Sequence, residues 1–140
     1  MIQNGMYFGK EIFYEMIRSL GGQWNDSKER PLVCLVKSVE NDNLFWAIPV
    51  GNRDKKARKR ILNYLNRPDD DIASCYYHVG KTNVKSIFFI SDAVPITEIY
   101  IEREYLNRFN NKIYVIKNKT LSAELERKLR RILSWEASNP

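Results

Sequence analysis

Two runs rich in β-branched and aromatic residues, 31–39 (PLVCLVKSV) and 44–51 (LFWAIPVG), stand four polar residues apart, separated by Glu40-Asn41-Asp42-Asn43. A link this short closes an antiparallel hairpin, because a parallel crossover needs a dozen residues or more. The remaining elements have to be built around that hairpin. Before it, Ile12, Phe13, Met16, Ile17 and Leu20 share one helical face within residues 9–20, and Gly21-Gly22 supplies a stop. After it, Asp54 can cap a helix with Ala57, Ile61, Leu62 and Leu65 inward, ended by Asn66-Arg67-Pro68. Strand patterns follow at 74–79 and 84–90, with a third inside 93–101 and another at 112–117 (KIYVIK). Leu121, Leu125, Leu129, Ile132 and Leu133 predict an amphipathic closing helix. This order lacks the strand–helix alternation of a doubly wound sheet, so the expected class is α+β, an antiparallel sheet with helices on it. At 140 residues a single domain is expected.

Lys and Arg total 23 against 17 acids, a net charge of +6 with pI near 9.3, which favours a polyanionic partner, nucleic acid first. No stretch reaches the ~18 apolar residues of a membrane span, and residues 1–20 mix charges with apolar residues, so neither a membrane partner nor a signal peptide is expected and the chain reads as cytoplasmic. Cys34 and Cys75 lie in apolar or aromatic surroundings without ligand spacing, and are expected as buried free thiols.

The stretch 76–86, YYHVGKTNVKS, holds the only histidine and a Gly-Lys-Thr that resembles the end of a phosphate-binding loop. A Walker loop needs a glycine five residues before that Gly-Lys and a helix after it; here the first position is Cys75, and Asn-Val-Lys-Ser-Ile-Phe-Phe-Ile follows as a strand pattern. Reading Gly80-Lys81-Thr82 as a tight turn instead clusters His78, Lys81, Thr82, Lys85 and Ser86. Imidazole, ammonium and hydroxyl groups together suit metal-free RNA cleavage, in which a base takes the 2′-hydroxyl proton, an acid protonates the leaving oxygen and cations stabilise the phosphorane. A packed, structural histidine is the competing reading. With one histidine, a two-histidine mechanism is excluded.

From Arg53 the chain carries six cations in eight residues, and Lys55, Lys56, Lys59 and Arg60 cannot share the buried face with Ala57 and Ile61. They predict a ridge that tracks phosphates, against the alternative of a solvated helix face. Arg127, Lys128, Arg130 and Arg131 form a second cationic group, partly paired with Glu124 and Glu126 at helical spacing. Tyr14, Trp24, Tyr76 and Tyr77 are candidates for stacking on unpaired bases, or core residues. Asp69-Asp70-Asp71 reads as a solvated turn rather than a metal site.

Taken in order, three segments resemble the endoribonuclease toxins of type III toxin–antitoxin systems, the ToxN/AbiQ group, and most closely its CptN-like branch. They are MYFGKEIFYEMI at the N-terminus, the hairpin PLVCLVKSV…LFWAIPVGN with a proline near the end of its second strand, and SIFFISDAVPI. The resemblance implies a compact antiparallel β core, a partly open barrel like that of the MazF/Kid toxins, with surrounding helices. It implies RNA cleavage without metal or cofactor, leaving 2′,3′-cyclic phosphate ends. Implied partners are target RNA and an inhibitory pseudoknot RNA of tandem repeats that the toxin itself cuts, in closed protein–RNA assemblies. Members of the family carry a Thr-Ser pair after that proline where this chain has Gly51-Asn52 and then Arg53, which shifts weight onto His78, Lys81, Thr82 and Ser86. A lysine before the first hairpin strand falls near Arg30, and a tyrosine on the first helix matches Tyr14.

The expected roles are therefore His78 as general acid or base, Lys81 and Arg53 as cationic stabilisers, Thr82 and Asn52 as positioning groups, and Ser86 beside them. Arg30, Lys37, Lys55, Lys56, Lys59, Arg60, Tyr14, Lys85, Arg130 and Arg131 are the expected RNA contacts. A non-catalytic RNA-binding or regulatory module is the rival reading. Either one predicts that affinity for RNA falls steeply as salt rises, and that exchanging Lys55, Lys56 and Lys59 for Glu weakens binding across all sequences. Filter-binding titrations at several salt concentrations measure both effects, and a flat salt response would remove the electrostatic argument.

Overall fold

The computed structural model describes residues 1–19, 32–41, 43–56 and 59–139. Gly21-Gly22, Trp24, Arg30 and Ala57, each named in the sequence reading, lie outside the described residues. The architecture is α+β, with seven strands among the described residues and all their pairings antiparallel. The chain packs as two compact units, Met1–Pro49 with Asp92–Lys117, and Val50–Ser91 with Asn118–Pro140.

The first unit is built on β1 (Met6–Gly9), which pairs with β2 (Leu32–Lys37) on one edge and β7 (Ile101–Glu104) on the other. The expected hairpin forms from β2 and β3 (Phe45–Asn52). Its ends are closed by the Ser38 N–H, which donates to the Leu44 carbonyl at 3.0 Å, and the Asn43 N–H, which donates to Asn41 Oδ1 at 2.9 Å. β6 (Val94–Ile96) pairs with the first residues of β3, setting Phe45 opposite Ile96. Tyr7, Phe13, Val33, Leu35, Phe45, Ala47 and Ile96 form the buried core.

Helix α1 (Glu11–Ser19) inserts Phe13 into that core with Met16 beside it, while Ile12, expected on the same face, is 47% exposed. A nine-residue helix meeting the core through a narrow stripe leaves its flanking apolar residue in water. The expected strand at 112–117 is reduced to two isolated bridges, Leu106 with Ile113 and Gly5 with Val115. β1 was not foreseen, because four residues carry too little periodicity.

In the second unit the end of β3 pairs with β5 (Lys85–Phe89), and β5 pairs with β4 (Tyr77–Lys81). Pro49, which has no N–H to donate, falls between the residues of β3 that pair with β6 and those that pair with β5. α2 (Arg53–Lys56) and α3 (Lys59–Leu65) follow β3. Residues 74 and 75, expected to begin a strand, instead end a 3₁₀ turn over Ile72–Cys75, capped by Asp71 Oδ1, which accepts from the Ala73 N–H at 2.9 Å. Both cysteines are buried and free, as expected, and burial pushes the Cys34 thiol up to about 12.

The strand begins later and runs through Lys81, so Gly80-Lys81-Thr82 is not the turn. The reversal lies at Thr82-Asn83-Val84, where the Thr82 N–H donates to the Val84 carbonyl at 2.9 Å. The residues after Thr82 enter β5, the strand expected there. α4 (Lys119–Ser138) is capped by Asn118, whose Oδ1 accepts from the Leu121 N–H at 3.1 Å, and it buries Leu121, Leu125, Lys128, Leu129 and Ile132.

Gly80 allows α4 to approach β4. A Cβ at this position would stand 2.5 Å from Leu121 Cδ1, 3.1 Å from its Cδ2 and 3.3 Å from its Cγ. Gly80→Ala is expected to cost about 1–3 kcal/mol by overpacking, and adding Leu121→Ala should cost less than the two single losses combined. Chemical denaturation of the four proteins checks this; strict additivity would mean that the two residues do not press on each other.

Candidate nucleic-acid interface

Alternation along a strand sorts the candidate residues into two faces. Asn52 lies opposite Ser86, and Ser86 opposite Gly80, so a polar row crosses three strands on the face that also carries His78. Thr82 Oγ1 lies 2.9 Å from Ser86 Oγ, and Ser86 Oγ also donates to the Val84 carbonyl at 3.1 Å. Lys81 and Lys85 are cross-strand partners on the opposite face, and both are exposed. The end of β3, the end of β4 and the start of β5 thus gather Asn52, Lys81, Thr82, Lys85 and Ser86, with Arg53 next in the chain.

Some expected roles change here. Ser86 is only 2% exposed, so its hydroxyl braces the turn and is poorly placed to reach a substrate. Asn52 Oδ1 accepts from the Asp54 N–H at 2.9 Å, so Asn52 caps the helix start and Asp54, expected as the cap, belongs to the first turn. A short side chain at the end of a strand is within reach of the N–H two residues on, and this outcompetes the later carboxylate. The Arg53 guanidinium lies 3.7 Å from Asp54 Oδ1. Lys55 and Lys56 lie on α2, and Lys59 and Arg60 are exposed on α3.

His78 is separated from Lys81. Three positions along a strand reverse the side chain, so the imidazole lies on the α4 side and Lys81 on the other. Burial first, then the Lys128 ammonium, push His78 down to about 4, with Glu124 opposing and Arg127 adding. At neutral pH the imidazole is uncharged. So low a proton affinity suits neither half of the expected acid–base role at neutral pH, and the ring lies on the face away from Lys81.

Lys128, expected in a surface patch, is buried and donates from Nζ to the Tyr77 carbonyl at 3.0 Å. Its signal was present in the sequence, since position 128 shares the helical stripe of Leu121, Leu125 and Ile132. Arg127 is held by Glu124 through bonds of 3.0 and 2.9 Å, and Arg130 lies 3.8 Å from Glu126. Arg130 is exposed and Arg131 half-buried. In the first unit Lys37 is exposed at the end of β2, whereas Tyr14 is 5% exposed and cannot offer its ring to a base. Tyr76 and Tyr77 pack on Tyr64 at 5.6 and 5.7 Å between ring centres, and Tyr77 meets Phe89 edge to face at 5.8 Å. All three tyrosines are half-buried, packed on one side and open on the other.

Among the described residues, no group of three or more His, Cys, Asp or Glu could hold a metal ion, and no helix is long and apolar enough to cross a membrane. No family model and no curated protein matches the chain.

Because His78 is the only histidine, its proton resonances report one group. An NMR titration is expected to find a midpoint near 4 in the folded protein, against 6.5 for the solvated side chain. Its folded value is depressed, so its contribution to stability is fully present above about pH 6.5 and is lost as pH falls through about 4. Lys128→Met should raise the midpoint by removing the neighbouring cation. A midpoint near 6.5 in the parent would place the imidazole in water and undo this description.

Proposed function

We propose that this chain binds RNA and cuts it by metal-independent transesterification, leaving 2′,3′-cyclic phosphate ends, as the toxin of a type III toxin–antitoxin system. The observation that carries the reading is the gathering of Arg53, Lys81 and Lys85 with Asn52 and Thr82 around one end of β3, β4 and β5, next to the basic helices. Three cations there can neutralise a phosphodiester and stabilise the charge of a phosphorane, and an ammonium group can protonate the departing oxygen. His78 lies on the opposite face of β4 from Lys81 and Lys85, so in this proposal the 2′-hydroxyl proton is taken by a substrate-bound water rather than by the imidazole. In this proposal the sheet and helices take a MazF/Kid-like arrangement and the protein works in the cytoplasm. A repeat-derived pseudoknot RNA is processed and then retained as inhibitor in a closed protein–RNA assembly.

One observation favours the non-catalytic alternative. The side chain best suited to proton transfer packs on the α4 side of β4, with Leu121 closing over the neighbouring Gly80. A structural histidine in an RNA-binding module would look the same.

Incubation with labelled RNA in excess EDTA separates the readings. Cleavage with cyclic phosphate ends is expected, slowed by about 10²-fold or more in Arg53→Gln and Lys81→Gln, with melting temperature retained. His78→Ala should lower the melting temperature and reduce binding and cleavage together, as expected of an imidazole packed on the α4 side of β4. Tight, salt-sensitive binding of RNA that stays intact with and without Mg²⁺ would establish the binding module instead.

A further inference from the structure

Phe109 is 99% exposed, the extreme among the large apolar side chains described. Isolated apolar side chains on a surface are ordinary, but this ring is held out by an ordered loop. The Asn107 N–H donates to the Lys112 carbonyl at 2.8 Å and the Asn111 N–H to the Asn107 carbonyl at 2.9 Å, closing the loop at its base. Within it, the Phe109 N–H donates to Asn107 Oδ1 at 2.8 Å and the Lys112 N–H to Asn110 Oδ1 at 2.9 Å. Asn111 takes a left-handed conformation, φ 57°, which asparagine tolerates. Below the loop, Leu106 and Ile113 are bridged. The backbone of Phe109 is therefore ordered before any ligand arrives, so binding to the ring costs little further conformational entropy.

The surroundings select the ligand. Arg108, next to Phe109 in the chain, and Lys112, at the base of the same loop, are exposed. From Tyr105 to Ala123 the chain contains Arg108, Lys112, Lys117 and Lys119 and no Asp or Glu. An aromatic ring on an ordered loop that also carries two exposed cations suits an unpaired nucleobase with its adjoining phosphates. A lipid surface would call for several apolar side chains in one plane. Leu106, Asn111 and Lys112 also line an open groove of about 920 Å³ that carries Glu98, Glu102 and Glu104 beside Arg103, an acidic lining that disfavours a polyanion inside it.

We infer that loop 107–112 is a second RNA contact, in which Phe109 stacks on one unpaired base and Arg108 and Lys112 hold the adjoining phosphates. This rests on the RNA reading above and deepens it: the ligand is single-stranded at this point, and the contact is separate from the residues given catalytic roles.

Fluorescence anisotropy with a 2′-O-methyl oligoribonucleotide, which lacks the attacking hydroxyl, measures binding without cleavage. Phe109→Ala should weaken binding of an unstructured oligonucleotide by about 5- to 150-fold, the range for losing one stacked base. Phe109→Trp should bind like the parent, with its indole emission changed by RNA. Arg108→Gln with Lys112→Gln should reduce the salt slope of binding. The parental preference for single strands over a duplex should shrink in Phe109→Ala, while melting temperature is unchanged. Parental affinity in Phe109→Ala, with salt-sensitive binding intact, overturns the stacking loop and leaves the RNA reading standing. Failure of the parent to bind RNA at all overturns both. Loss in Phe109→Ala of binding to anionic vesicles, with RNA affinity unchanged, would assign the ring to a membrane and reject the inference.

Discussion

The close approach of Leu121 to Gly80 brings α4 onto the face of β4 that carries His78. With no Cβ at position 80, α4 can settle on β4 and bury a stripe of leucines together with Lys128. That approach places an ammonium group and the Glu124–Arg127 pair in the surroundings of His78, and together with burial it keeps the imidazole neutral. A larger residue at 80 would press on the Leu121 side chain, which closes over the β4 face that also carries His78.

Burying Lys128 would be unfavourable without a partner, because an ammonium group leaves strong hydration behind. The Tyr77 carbonyl supplies one acceptor at 3.0 Å, and a neutral imidazole nearby avoids a like-charge contact. Burial also lowers the Lys128 pKa. These three groups support one another on one face of β4, while the exposed cations stand on the other. Lys81 and Lys85 remain in water, where charge is inexpensive and a polyanion can reach it.

Much of the fold was legible because it depends on local periodicity. The β2–β3 hairpin follows from two apolar runs and a four-residue polar turn, the closing helix from leucines at helical spacing, and the strand after Thr82 from its β-branched and aromatic residues. The reading failed where the local pattern was short or ambiguous. β1 has four residues, residues 74 and 75 were claimed by an Asp71-capped 3₁₀ turn, and KIYVIK found partners only through isolated bridges. At the site, placing the turn at 80–82 rather than 82–84 put His78 beside Lys81. On a strand that continues through Lys81, the same two residues face apart.

By itself the sequence determined the class of structure, the net charge that favours a polyanion, the presence of a single histidine and the cationic run after β3. These are properties of composition and short-range spacing, and no distant contact is needed to establish them. Only the tertiary structure decided that His78 is uncharged, that Lys128 is interior, that Tyr14 is closed off and that Phe109 stands in solvent. The reason is physical: ionisation and accessibility depend on which atoms exclude water from a group. For His78 those atoms belong to a helix that begins some forty residues further along the chain.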